Sequence, residues 1–445
     1  MPPEISPRET PVESPGVSTP GPKKRLAIGV STTVILIGLA AFFTDTSTEM
    51  IQAIFPDYVL LVIGSGPAVL GLILGITDAI SNIVKGLSGW LSERLSHRKG
   101  LIAVGYGVSN LVAKPLMGVF PDVLPVTGFK ALDRIGKGIR AAPRDALVAY
   151  VSKEKTGKAF GIYSAMDTMG AIAGPALAAL LLFFTVSFSS YASQLQFIII
   201  FSIVPGIVSM VMIYLVKDVK QPRASLQVKN GADKKRERVN WKAVKPIMLL
   251  AVIEFASLNS GFLIARGNDF QIFAVPTSFL SSLGMSAEVF NTMVVALLYS
   301  TYNIIYAIVS IKAGNISDKA GRKKIIALGL SMLLASTILL AIVPDGSIFV
   351  PILIPAAFVL FGLYSGFMDP TAKAMISDLS EKKKGLTYGI YYLAVGLLSI
   401  PESIIFGLLY QEFGAPVAFI YEAIVLVMCI AIFVIVAPET REKQH

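Results

Sequence analysis

The chain holds 445 residues, 54% of them hydrophobic and only 15% charged, with a formal net charge of +10. Soluble domains carry about 25% charged residues, so the composition excludes one and describes a chain that crosses a bilayer many times. The cations sit in short connections between apolar runs, a pattern that sets membrane orientation and argues against nucleic acid as a partner.

Residues 1–25 are rich in Pro, Ser, Glu and Thr and end in Lys23, Lys24 and Arg25, which predicts a disordered tail and not a cleaved signal. Twelve helices are expected at about 27–62, 68–92, 100–120, 123–151, 157–186, 194–216, 244–276, 288–313, 323–343, 351–379, 385–410 and 416–437. Helices are preferred to barrel strands because in lipid the backbone must satisfy its own hydrogen bonds, and these runs are too long and uniformly apolar for strands. The connections after helices two, four, six, eight and ten are basic, whereas those after one, three, five, nine and eleven contain neither Lys nor Arg. The positive-inside rule therefore puts the basic loops and both termini in the cytoplasm, as expected of an inner-membrane protein.

The two halves repeat. The stretch from Gly89, after helix two, returns from Gly314, after helix eight, and the stretch from Pro143 is echoed from Pro370. The expected fold is an all-α polytopic membrane protein: six-helix bundles at 26–216 and 244–438, a cytoplasmic linker at 217–243 and a tail at 439–445. An axis along the membrane normal relates the bundles, and a binding site is expected between them near the midplane.

These motifs resemble those of the major facilitator superfamily over essentially the whole span from Leu26 to Pro438. Gly314, Asp318, Gly321, Arg322 and Lys323 are similar to the family's basic loop motif, and Gly89, Leu91, Arg94 and Arg98 to its first copy, where Glu93 and Ser96 depart from the pattern. The resemblance implies gating contacts at these loops. In helix four, Arg134, Gly138, Ala141 and Ala142 match a second motif, with Lys137 and Arg140 replacing an amide and a glycine. In helix five, Gly161, Gly170, Gly174 and Pro175 resemble a motif associated in the family with drug-exporting antiporters. Small residues allow close helix approach, so packing alone is the alternative explanation of that last motif.

Ionisable groups within spans mark transport routes by default. Helix four carries Asp133, Lys137, Arg140 and Arg144 at helical spacing, which predicts a single charged stripe facing a cavity; Arg134 is the family-supported member, and Arg144 with Asp145 reads as a pair near the inner mouth. Asp45 and Glu49 share a face of helix one and, with Asp167 and Arg134, are the proton-coupling candidates. Substrate-binding candidates are Lys137, Arg140, Asp78, Asn82, Asn259, Tyr299, Tyr302, Asn303, Tyr306, Lys373, Tyr391 and Glu402. The polarity assigns ion coupling mainly to the first bundle and substrate selection to the second.

Other chemistry does not hold up. Gly136, Gly138 and Ala141 form G-x-G-x-x-A without the strand a dinucleotide site requires, and His97 and His445 lack the company of a metal or triad. No catalytic constellation and no cofactor are expected. The reading is a secondary transporter that works by alternating access as a monomer, exporting a small organic solute in exchange for protons. The alternatives are a carrier of anionic or zwitterionic solutes using the helix-four cations, and a membrane sensor or intramembrane enzyme.

Overall fold

The computed structural model describes residues 31–94, 98–152, 156–188, 190–216, 241–344, 346–379 and 384–439, with the side chains of 86, 88–94, 98, 241–246, 254 and 384–386 outside that description. The expectations for the 1–25 tail, most of the linker and the side chains of Gly89, Glu93, Arg94 and Arg98 lie outside it.

Among the described residues every regular element is helical, and together they make twelve membrane-spanning segments. Ten are long and apolar enough to cross a bilayer. The others are helix four, Val123–Val151, which is dense in charge, and helix seven, which is broken.

Helix one runs Thr32–Asp57 and ends in a π segment at Tyr58–Val62; helix two is Pro67–Arg94. Helix three runs Arg98–Gly107, passes through a π segment at Val108–Ala113 and closes with Lys114–Val119. Helix five is Thr156–Phe184, and helix six is Tyr191–Phe201 with Ile203–Leu215. Helix seven starts at Trp241, inside the stretch assigned to the linker. It stops at Glu254 and resumes at Ser260–Asn268, so the single span expected over 244–276 is two half-helices and an irregular tail. Helices eight to twelve are Ala287–Ala320, Arg322–Ile342, Val350–Leu379, Lys384–Phe413 and Ala415–Val436. The eighth continues past 313 through the motif expected to be loop, and the turn falls at Gly321, whose φ of +100° a side chain rarely adopts.

The halves meet along helices two and eleven and helices five and eight. Exchanging each helix for its repeat equivalent, two for eight and eleven for five, converts the first pairing into the second, as the repeat requires. Close approach depends on glycine: a Cβ at Gly407 would sit 2.6 Å from the carbonyl oxygen of Pro67, and one at Gly174 2.7 Å from that of Thr46. Gly170 is equally pressed against the backbone of Phe42, whereas Gly161 faces open space. The helix-five glycines at 170 and 174 thus seat helix five on helix one.

One apolar core, including Phe55, Phe262, Phe358 and Phe406, is continuous across both halves. A second core, with Ile37, Tyr106 and Leu147, belongs to the first half alone, toward the end that carries the basic connections. The shared core therefore takes in the far end of both halves and runs on through the second half, whereas the first half has a core of its own at the basic end.

Candidate functional site

Between the halves lies a cavity of about 540 Å³. Helix one presents Asp45 and Glu49 to it one turn apart, helix two presents Asp78 and Asn82, helix four Lys137 and helix five Asp167. The second half supplies Asn259 and Ser260 at the helix-seven break, Tyr299, Tyr302, Asn303 and Tyr306 from helix eight, Asp369 from helix ten and Glu402 from helix eleven. Six carboxyl groups thus face a cavity in which Lys137 is the one lining cation among the described residues.

Lys137 Nζ stands 3.9 Å from Asp45 Oδ1, too far to satisfy that carboxylate alone. Asp45 and Asp167 both line the cavity, and Tyr163 donates to Asp167 at 3.2 Å. Glu49 accepts from the Tyr299 hydroxyl at 2.9 Å, and Asp78 from the Asn259 amide at 2.6 Å. Both bonds cross between halves, from a carboxylate of the first to a neutral donor of the second.

The break in helix seven is stabilised by the same Asn259. Its side-chain oxygen accepts from Gly261 N at 2.8 Å, capping the second half-helix, while its amide nitrogen holds Asp78. Irregular backbone survives at membrane depth only against protein or a wet cavity. Arg266 ties off the other end, donating to the Leu340 carbonyl at 3.1 Å and to Asp269 at 3.1 Å.

One wall is aromatic. Tyr299 and Tyr302 stack at 5.3 Å with 8° between their planes, Phe361 follows at 5.5 Å from Tyr302, and Tyr364 at 5.7 Å from Phe361. A side chamber of about 160 Å³ lies between Glu49, Asp78, Asn259, Tyr299 and Arg134.

The helix-four stripe is divided among its neighbours and does not form one face. Asp133 turns to helix three, where it accepts from the Ser109 hydroxyl. Arg140, 2% exposed, lies over the Tyr106 ring at 4.3 Å and does not line the cavity. Arg144 covers Tyr163 at 4.5 Å and pairs with Asp145 at 2.9 Å. Lys373 is exposed and Tyr391 is buried, and neither lines the cavity. In the second loop motif, Arg322 pairs with Asp318, bonds Asp378 at 3.2 Å and donates to Ser317 at 2.6 Å, while Gly314 has open space around it.

Several polar residues escaped the sequence reading. Lys114 is 1% exposed and donates to Asn110 at 2.8 Å and to the Thr44 carbonyl at 3.2 Å; Lys130 donates to Gln52 at 3.4 Å and lies over the Phe55 ring. Asp57, at the far end of helix one, accepts from Tyr191 at 2.6 Å, Thr292 at 2.8 Å and Asn268 at 2.8 Å. Thr292 and Asn268 belong to the second half, so this group latches the far end shut. The signal available for all of them was an ionisable residue within an apolar run.

Comparison with known proteins yields a consistent set. The family model of the Major Facilitator Superfamily matches residues 37–265 and 258–445. An uncharacterised MFS-type transporter of Methanocaldococcus jannaschii is 31% identical over 407 residues, covering 90% of this chain and 93% of the relative. An uncharacterised protein of Mycobacterium tuberculosis is 22% identical, covering 91% and 93%. Among solved structures, a mutant of the nucleoside transporter NupG superposes with a TM-score of 0.73 at 11% identity, covering 91% of this chain and 99% of that one. The partially occluded inward-open xylose transporter XylE of E. coli superposes at 0.65 with 14% identity, covering 93% and 98%. These identities establish a shared fold.

Proposed function

This chain belongs to the major facilitator superfamily and is a secondary transporter, not an enzyme, and we propose that it carries a small organic cation and returns with protons. The observation that carries this reading is the cavity's charge: six carboxyl groups and an aromatic wall against Lys137. Aromatic faces attract cations, and desolvated carboxylates need a counter-charge. In one half-cycle the cargo supplies that charge; in the other, protons do. Cargo and protons then compete for the same acids, which is antiport.

Asp45 and Asp167 are the proposed exchange pair, because two carboxyl groups lining one cavity beside a single lysine ionise in sequence, and cargo can displace the proton they hold. Glu49 and Asp78 convert this into motion. Protonating either weakens a bond to the other half, at Tyr299 or Asn259, and loosens the seam along which the bundles rock. The far end is latched and the first half has a core of its own at the basic end, which supports a cavity entered from the basic side. We take the basic loops to face the cytoplasm of an inner membrane and propose export by a monomer.

The anionic reading needs a cation standing free toward the cavity. Arg140 instead covers Tyr106, Lys137 faces Asp45, and Arg134 sits among Glu49 and Asp78. The test is flux of a quaternary ammonium dye into proteoliposomes under an imposed pH gradient, compared with Asp45→Asn and Asp167→Asn. Gradient-driven flux lost in both variants is expected. Binding of organic carboxylates and not of ammonium compounds would overturn the assignment.

A further inference from the structure

Helix twelve is apolar along its length except at Glu422, which is 1% exposed and whose Oε1 has no hydrogen-bond partner among the described residues. This group does not line the cavity and takes no part in the exchange described above. Its level in the membrane follows from ring packing. Phe419 contacts Phe406 of the antiparallel helix eleven at 5.1 Å and Tyr410 at 6.2 Å. One turn beyond Phe419 is Glu422, and one turn back from Phe406 are Glu402 and Ser403, so these carboxyl groups come level at one helix contact. Glu402 is 5% exposed, accepts from the Ser403 hydroxyl at 2.6 Å, and is itself a cavity residue.

We propose that Glu402 and Glu422 form a proton-binding site of the C-terminal bundle, filled from the cavity through Glu402 and stored on Glu422. An unneutralised carboxylate at this depth is very costly. Ser336 and Thr337 are the polar groups in the later half of helix nine, whose cations Arg322, Lys323 and Lys324 lie at its other end. The first half of helix seven packs alongside and closes with Glu254, and Tyr421 and Cys429 flank the site on helix twelve itself. None of the described side chains on the helices packed against Glu422 at this level is a cation, so its charge is relieved by a proton. Two neighbouring carboxyl groups ionise in sequence, not together, which makes the pair hold one proton across a wide pH range. The transfer is a plain proton relay: cavity water protonates the Glu402 carboxylate, which passes the proton inward and is left as the carboxylate again.

The proposal rests on the reading of the protein as proton-coupled but is measured without transport. Infrared difference spectra of the purified full chain, titrated with acid, report protonated carboxyl groups directly. The expected result is a pH-dependent carboxyl band that disappears in Glu422→Gln and whose midpoint moves in Glu402→Gln, with Glu422→Asp keeping the band and guarding against misfolding. Three results overturn it: a band indifferent to Glu422→Gln, a Glu422 band that never changes with pH, or one abolished by sodium at fixed pH. A titrating Glu422 in a protein whose flux ignores the pH gradient would uphold this site and overturn the coupling reading instead.

Discussion

Replacing Asp57 with Ala tests the closure of the far end. The carboxylate accepts three hydrogen bonds, of which those from Thr292 and Asn268 cross between the halves. A hydrogen bond to a charged group contributes about 1.5–3 kcal/mol net. The loss is less than twice that, because Thr292 and Tyr191 already lie 2.6 Å apart and keep each other satisfied. Asn268 has no such recourse: its Oδ1 already lacks a partner, and its amide nitrogen loses one. A net change of about 2–3 kcal/mol moves the ratio of closed to open far ends by about 30- to 150-fold. The readout is a cysteine at Ser260, which lies in the side chamber, in a background with the single native Cys429 replaced by Ala. An impermeant maleimide applied from the latch side should label it faster in Asp57→Ala by a comparable factor, and by less in Asp57→Asn. Unchanged labelling in variants that melt like the parent would refute the idea that this carboxylate holds the end shut.

Three further outcomes follow from packing. Gly407→Val should lower the melting temperature and bias the protein toward separated helices two and eleven, since the added carbons meet the Pro67 backbone and overpacking costs about 1–3 kcal/mol; differential scanning fluorimetry reads it. Gly321→Ala should destabilise by about 1–3 kcal/mol through its φ of +100°, measured the same way, without altering cargo affinity. Asn259→Ala should remove both a helix cap and the Asp78 contact, so cargo affinity measured by titration calorimetry should change more than stability does.

The twelve spans were legible because hydrocarbon thickness imposes a length on every one of them. Individual faces were legible only where polarity was concentrated, as at Asp45 with Glu49 or along Tyr299, Tyr302 and Tyr306. Helix four misled because spacing was read as a single direction, while Arg140 and Asp133 answer to helix three and Arg144 to helix five. A helix enclosed on several sides has several polar neighbours, and periodicity alone does not choose among them. The break after Glu254 was hidden because Phe255, Ala256 and Leu258 keep the run apolar; only Ser257, Asn259, Ser260 and Gly261 hinted at it. Assigning the acids to the first bundle overlooked Glu422, a lone carboxyl in the most apolar span, whose company appears only once helix eleven is packed beside it.

Helix seven also constrains how the protein is made. Its segments of 14 and nine residues are each too short to span the hydrocarbon. Between them lies backbone that membrane lipid does not solvate. Inserted alone, this span would be unstable, and the groups that settle it come from elsewhere in the chain: Asp78 from helix two at the break, and the Leu340 carbonyl from helix nine at Arg266. The seventh span is therefore held by one helix synthesised far earlier and another synthesised later, so its stability in the membrane depends on parts of both bundles.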